Sequence, residues 1–506
     1  MANRSYPDKK SVMKRAQELV DAKLPFGDLD GYDRLSKKNK GDLGQTIEES
    51  WFGYSINSDK EPDFKEAGVE LKVTPYKITR NGVSAKERLV CNIINYMEEV
   101  DKTFDTSSFW HKCKCLCILS YLWREKIPKE DLFVDHATLL NEYPEEDLLI
   151  IKQDWETIIK KIRAGEAHNI SEADTNYLAA CTKGKNATTV KKQPFSHIPA
   201  KQRAYSLKTT YMTRLLRKFV FGVEENEHII KDYKLLESHS FDDIIVQMFK
   251  PFFGLTTAQI AKKLQINKPR LDYKSANADV TRAILGITGN PDQAEEFRNA
   301  NITVKTIVVN RSNQPEQAMS FPSFSFTDIM NQEWQDSDVY NEMAASRFLF
   351  VVFQRDNKEE PFLREVFFWN MPNQDIDELH RVWENTRAEI HNGVKLSIKK
   401  DRIFNSLPGT ADSYVAHVRP HTTLRGYKFA DGIIIGPSDE NGNPKYGNPL
   451  PDGRWMTKQC FWFNKTYIKS IIDSQKIIHI VYQLDRPELK AAEDVFSYDT
   501  NKKENE

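Results

Sequence analysis

Apolar positions change period from one segment to the next, and the changes mark out a chain of mixed α and β elements. Residues 43–52 place apolar side chains at helical spacing and end at Gly53, a helix stop. Residues 69–76 and 88–96 read as strands, and 147–164 as a long amphipathic helix that carries Trp155 and closes at Gly165. Later, 302–309 and 348–354 read as strands and 377–391 as a helix. The stretch 255–264 looks like the first helix of a helix-turn-helix. Its place suits instead the opening helix of a second repeat, matching 14–24 in the first. Gly, Pro and Asn crowd residues 436–453, which predicts a loop.

The order of these elements repeats. Pro62-Asp63-Phe64-Lys65-Glu66-Ala67-Gly68-Val69-Glu70-Leu71-Lys72 returns in altered form as Glu295-Glu296-Phe297-Arg298-Asn299-Ala300-Asn301-Ile302-Thr303-Val304-Lys305. Counting back by the same interval, Glu49-Ser50-Trp51-Phe52-Gly53 aligns with Arg282-Ala283-Ile284-Leu285-Gly286. Trp155-Glu156 followed by Gly165 matches Trp383-Glu384 followed by Gly393, and Lys201-Gln202 through Met212 resembles Lys458-Gln459 through Ile468. Four blocks in one order imply that the halves share ancestry. At 506 residues the chain exceeds one ordinary core, and domains of about 200–250 residues are the natural expectation. The expected organisation is one α/β domain over 1–222, a linker over 223–240, a related domain over 241–490 and a charged tail over 491–506.

Composition sets milder bounds. Charged residues make up 29% and the net charge is −1, so affinity for a polyanion must come from local patches. The start of the chain lacks the apolar run of a signal peptide, and no apolar stretch reaches the length of a membrane span. Six cysteines suggest no disulfide framework, so a cytoplasmic location without membrane contact is expected. Cys113, Cys115 and Cys117 alternate, which fits small hydrophobes on one face of a buried strand better than a zinc site.

The first repeat carries candidate chemistry. On a strand, Glu70 and Lys72 project from one face while Leu71 enters the core, and Asp63 arrives from the preceding turn. Two carboxylates beside substrate phosphate oxygens suit Mg²⁺, and a neighbouring ammonium can stabilise developing negative charge. Acid-x-Lys triplets also occur at Asp232/Lys234, Asp272/Lys274 and Asp356/Lys358, where they read as surface charge. In the second repeat Thr303 replaces Glu70, Arg282 stands at the place of Glu49, and Glu296 is left as the counterpart of Asp63.

Charge distribution adds a partner. Residues 175–223 contain no Asp or Glu, yet hold Lys183, Lys185, Lys191, Lys192, Lys201, Arg203, Lys208, Arg214, Arg217 and Lys218. Such a stretch supplies the positive field that phosphate contacts require, and Tyr205, Tyr211, Ser206, Thr209 and Thr210 add hydroxyl donors. Residues 419–428, with Arg419 and His421, are also free of acids. His417 and His421 have the spacing of helical zinc ligands, but Pro420 argues against a helix.

The blocks together resemble the MutH-like endonucleases, and the two-half layout is similar to the GATC-cutting type II restriction endonucleases of that family. The resemblance rests on Lys40-Gly41-x-x-Gly44, Asp63-Phe64, Gly68-Val69-Glu70-Leu71-Lys72, His111-Lys112-x-Lys114, Asp154-Trp155-Glu156, Tyr177-Leu178 with Lys183, and Leu207-Lys208. Lys86-Glu87-Arg88-Leu89-Val90, Lys201-Gln202-Arg203-Ala204 and His417-Val418-Arg419-Pro420-His421 extend it through nearly the whole chain. It implies two tandem restriction-endonuclease-like domains and a catalytic set of Asp63, Glu70 and Lys72, with Lys112 as an added lysine. It also implies a helix carboxylate. Counting back from Asp63 selects Glu49, counting forward from Gly44 selects Glu48, and Glu49 is preferred because it needs no insertion. Lys183 matches a DNA-contacting lysine of the family, the recognition tyrosine falls on Ser206, and the recognition arginine falls near Cys181.

The expectation is a Mg²⁺-dependent type II restriction endonuclease acting on double-stranded DNA, with GATC as the site implied by the resemblance. A second DNA site in the C-terminal domain and a DNA-induced dimer would fit one intact and one degenerate centre. The rivals are a methylation-directed mismatch-repair nickase and a DNA-binding protein with a vestigial site.

Overall fold

The computed structural model describes residues 5–32, 42–54, 60–79, 82–124, 127–184, 189–223, 227–266, 275–355, 360–399 and 402–485. Lys40, Gly41, Lys185, the triplets beginning at 272 and 356, and the tail 491–506 lie outside these residues. In chain order the first half contributes β1 (Glu70–Thr79), β2 (Gly82–Ala85), β3 (Leu89–Ile93), β4 (Leu116–Leu122), β5 (His136–Leu140), β6 (Leu178–Thr182), β7 (Val190–Gln193), β8 (Ser196–Lys201) and β9 (Arg203–Leu207). The second half contributes β10 (Ile302–Val309), β11 (Met319–Ser323), β12 (Arg347–Gln354), β13 (Phe362–Asn370), β14 (Ala416–Pro420) and β15 (Gln459–Phe463), beside smaller peripheral strands.

The fold is mixed α/β, and the two halves use the same strand connections. The first half orders its sheets β2-β1-β4-β5 and β3-β9-β6, and the second β10-β12-β13 and β11-β15-β14. β1 runs parallel to β4 as β10 does to β12, while β5 and β13 pair antiparallel to those central strands. Each half then places a long helix, Glu145–Arg163 or Asn373–His391, between the first strand of its antiparallel three-stranded sheet, β3 or β11, and the other two. Trp155 and Trp383 are buried on those helices, and Gly165 and Gly393 take φ of 72° and 86° just beyond them, where an L side chain is disfavoured.

Each central strand is buried on both faces. Leu116 and Ile118 of β4 face the long helix and β9, while Cys117, Leu119 and Tyr121 face the helices Lys9–Ala22 and Asp42–Ile47. In β12, Phe348, Phe350 and Val352 face the helix Asn373–His391, and Leu349, Val351 and Phe353 face Phe241, Ile260 and Val280. That second face is continuous with the core of the first half. The segment expected as a linker, 223–240, is built into this core where described: Ile229, Ile230 and Leu236 are buried there. Polar bonds reinforce the junction, with Thr210 Oγ1 donating to Asn299 O at 2.8 Å and Arg347 Nη1 to Asn176 Oδ1 at 2.9 Å.

Some local expectations change. The strand expected over 88–96 ends at Ile93, because Asn95 caps a helical turn at Tyr96–Glu99. The three alternating cysteines do not share a strand face. Cys113 ends the helix Ser108–Cys113 and joins the central core, Cys115 precedes β4, and only Cys117 lies on the strand. All six cysteines are buried and unpaired. Residues 436–453 are not wholly loop, since Gly447–Pro449 pairs with Trp455–Thr457 in a small sheet. Among the described residues no helix is long and apolar enough to cross a membrane.

Candidate active site

A tight turn brings Asp63 to the start of β1. Phe64 and Val69 exchange backbone hydrogen bonds of 2.9 and 3.2 Å, and Gly68 supplies the φ of +64° that closes the turn. Asp63 Oδ2 then accepts from the Leu71 amide at 2.9 Å, and the Asp63 amide donates to Glu70 Oε2 at 3.3 Å. Glu70 is 2% exposed. Its Oε1 accepts from Lys72 Nζ at 2.7 Å and lies 3.6 Å from Lys112 Nζ. Lys112 comes from the helix Ser108–Cys113, whose start is capped by Ser107 Oγ accepting from the Trp110 amide at 3.1 Å. Strand alternation sends Leu71 the other way, into the core beneath.

Electrostatics bind these groups to a further acid. Burial, and then repulsion from Asp63, pushes the Glu48 carboxyl up to about 8, with Glu70, Lys72 and Lys112 also acting on it. Asp63 is raised to about 6 by burial and by Glu70. Burial opposes the charge on Lys72, but Glu70 and Asp63 outweigh it and hold the ammonium above its ordinary value. Glu48 is the helix acid whose charge these groups act on, whereas the gap-free count selects Glu49. The helix Asp42–Ile47 continues into a π turn over Glu48–Phe52, which carries both acids. Gly53, with φ of 75°, ends the helix as expected.

Glu48 and Asp63, both held above their ordinary values, are poised to gain from a cation. Asp63 and Glu70 offer the hard oxygen donors that a divalent metal prefers. Among the described residues no cluster of three or more His, Cys, Asp or Glu could hold a metal alone. The donor set thus fits a cation that completes its shell with water and substrate phosphate, as Mg²⁺ does.

The acid-free stretch divides into an exposed part and a buried part. Lys183, just after β6, and Lys191 and Lys192 on β7 are exposed, and Lys201 is half-buried. Arg203, Ser206 and Lys208 are buried, contrary to their expected place at DNA. Arg203 donates to Ala180 O at 2.6 Å and also to Ile170 O, and Ser206 Oγ donates to Ala179 O at 3.4 Å. Lys208 Nζ donates to Thr175 O and, at 3.4 Å, to Ala300 O. Tyr205 and Tyr211 turn their hydroxyls inward to Glu99 and Asp147, both at 3.1 Å, and Arg214 binds Asp147 at 3.0 Å. β9 is the central strand of its sheet, so polar side chains on it serve the interior. In the second half, Arg419 and His421 are exposed beside Trp462, at 3.9 and 5.5 Å from its ring centre. His417 lies on β14 rather than a helix, and its Nδ1 meets Asn464 Oδ1 at 2.6 Å.

The second repeat keeps more of the site than its aligned sequence suggests. Asp292 Oδ1 accepts from the Val304 amide at 2.8 Å, the bond that Asp63 makes with Leu71. Asp292, not Glu296, is the counterpart of Asp63. The helix Glu295–Ala300 lengthens the turn, so a gap-free count lands on Glu296. Glu296 instead accepts from the Ile229 and Ile230 amides at 3.0 and 3.1 Å. Ser337 caps its turn at the Tyr340 amide as Ser107 does at Trp110, which sets Glu342 in the place of Lys112. Asp292 and Glu342 both act on Lys305, the counterpart of Lys72. Glu342 could have been found only by matching the capping serines.

The family model described as the DNA mismatch repair enzyme MutH matches residues 52–154, which hold Asp63, Glu70, Lys72 and Lys112. The type II restriction enzyme Sau3AI of Staphylococcus aureus is 37% identical over 491 residues, covering 93% of this chain and 99% of that protein. The DNA mismatch repair protein MutH of Shewanella woodyi is 29% identical over 35% of this chain and 77% of its own length. That of Escherichia coli O139:H28 is 30% identical over 30% of this chain and 64% of its own.

Proposed function

Since the chain belongs to the family of the type II restriction enzyme Sau3AI, we propose that it breaks both strands of double-stranded DNA at a short specific site, with Mg²⁺ as its metal. Enzymes of this kind are site-specific deoxyribonucleases that bind double-stranded DNA and depend on a divalent cation. GATC is the proposed site, by resemblance to that family. The observation that carries the reading is the convergence of Asp63, Glu70 and Lys72, with Lys72 Nζ at 2.7 Å from Glu70 Oε1.

Asp63 and Glu70 would hold a divalent cation, which would supply Lewis acidity toward the scissile phosphate and lower the pKa of a bound water. Lys72, kept cationic by its acidic neighbours, stabilises negative charge that builds on the phosphate. Lys112, 3.6 Å from the same Glu70 oxygen, adds further positive charge. Glu48, with a carboxyl near 8, is able to hold a proton at neutral pH and to release it when positive charge enters the site. Lys183, Lys191, Lys192 and Lys201 supply phosphate and groove contacts.

The second half, 241–490, is proposed as a degenerate copy of the nuclease domain in 1–222, with a DNA-binding and regulatory role. The repeated strand order supports that reading. Its contact surface includes Arg419 and His421, and it either holds a second DNA site or pairs chains on DNA. Digesting a sequenced plasmid with Mg²⁺ and mapping the ends tests the proposal. Linear products ending at GATC support it, nicks alone favour a mismatch-repair nickase, and no cleavage by a folded, DNA-binding sample favours a vestigial site.

A further inference from the structure

The β7–β8 hairpin presents an unusual tip. Gln193 pairs with Ser196 across a two-residue turn made by Pro194 and Phe195. Phe195 has φ of +60°, a conformation that normally selects Gly or Asn, and its side chain is 77% exposed. Backbone strain and an aromatic in water both disfavour this arrangement.

The tip is nonetheless held firmly. Gln193 is buried, accepting from the Ala167 amide at 2.7 Å and donating to Ile198 O at 2.6 Å. Gly165 lies so close beneath that a Cβ there would fall 2.7 Å from Phe195 O. Ile198, 54% exposed, stands near the tip, and Lys191, Lys192 and His197 flank it within the stretch that lacks acids. An apolar wedge on a rigid arm among cations matches the chemistry of a deformed DNA duplex, in which apolar side chains enter between base pairs.

We propose that Phe195 is the wedge by which the chain recognises its site, stacking against a base step of the bound duplex while Lys191 and Lys192 hold the adjacent phosphates. This rests on the nuclease reading above and adds a specificity-determining residue to it. Sequence selection then comes partly from how easily a step is unstacked.

The test uses the full chain and duplexes carrying 2-aminopurine at successive positions across the cleaved site, with Ca²⁺ for binding and Mg²⁺ for cleavage. The wild-type protein should raise fluorescence at one step. Phe195→Gly should remove that signal and lower cognate kcat/KM by about 10-fold or more, the size expected for one lost aromatic–base stack. Its Tm should stay equal or rise, because glycine accepts the φ of Phe195 without strain, and Phe195→Trp should retain both signal and cleavage. Unchanged fluorescence and cleavage in Phe195→Gly, or a clear fall in its Tm, would overturn the inference. Failure of the wild-type protein to bind or cut would overturn the nuclease reading instead.

Discussion

The Asp292 carboxylate holds the Val304 amide at 2.8 Å, as Asp63 holds the Leu71 amide at 2.9 Å, although a helix lengthens the turn between Asp292 and β10. Thr303 stands on β10 where Glu70 stands on β1, and Glu342 follows its capping serine by the interval at which Lys112 follows Ser107. Lys305 is left between two acids, as Lys72 is. Burial and repulsion from Asp338 raise the Glu342 carboxyl to about 7. Thr303→Glu should therefore crowd a third acid beside Asp292 and Glu342 and lower Tm at pH 8. Adding Glu342→Lys should recover the loss. Additive effects in this double-mutant cycle would refute the shared site.

Glu70→Gln keeps shape but removes one of the two proposed metal ligands and the partner of Lys72 at 2.7 Å. Mg²⁺-dependent cleavage should fall by roughly a thousandfold or more, while DNA binding in Ca²⁺ persists. Chelating the divalent metal should abolish wild-type cleavage and leave the fold intact.

The acids should make the metal-free protein sensitive to pH. Glu48 near 8 and Asp63 near 6 both sit above their unfolded values, so the folded state binds more protons over this range. Stability should then fall as pH rises from about 5 to 8. Glu48→Gln removes the larger part, and should raise the metal-free Tm by about 1–3 °C at pH 8 with little change at pH 5. A thermal melt at the two pH values checks the sign, and a lower Tm at pH 8 would refute it.

Much of this was legible in sequence because period and spacing are local. Helix 377–391 and strand 302–309 follow from side-chain period, and Glu70 with Lys72 follows from strand alternation. What sequence missed depends on tertiary placement. The charges that act on Glu48 come from Asp63, Glu70, Lys72 and Lys112, all remote in sequence, and the inserted helix hides Asp292. Burial alone separates Lys191 from Lys208, two lysines of the same acid-free stretch.

Lys208 is a structural cation. Burial lowers its ammonium to about 8, and its donors serve Thr175 O and Ala300 O across the junction of the halves. Lys208→Ala should cost about 1–3 kcal/mol, since buried carbonyls lose their donor. Urea unfolding would read that loss, and the salt dependence of DNA binding should not change. A change in the salt slope without loss of stability would return Lys208 to the DNA surface.

Lys191 and Lys192 give the opposite outcome. Both are exposed on β7, with none of the interior bonds that hold Arg203 and Lys208. Each phosphate contact releases counterions, so log Kd against log salt should flatten by about one unit for each lost lysine. Lys191→Ala with Lys192→Ala should thus reduce the slope by about two, weaken cognate and random DNA alike, and leave Tm unchanged. Lys183→Ala, at the exposed end of β6, should instead weaken cognate DNA more than random DNA. Binding isotherms at four salt concentrations on both duplexes separate the cases, and equal losses for all three lysines would remove Lys183 from recognition.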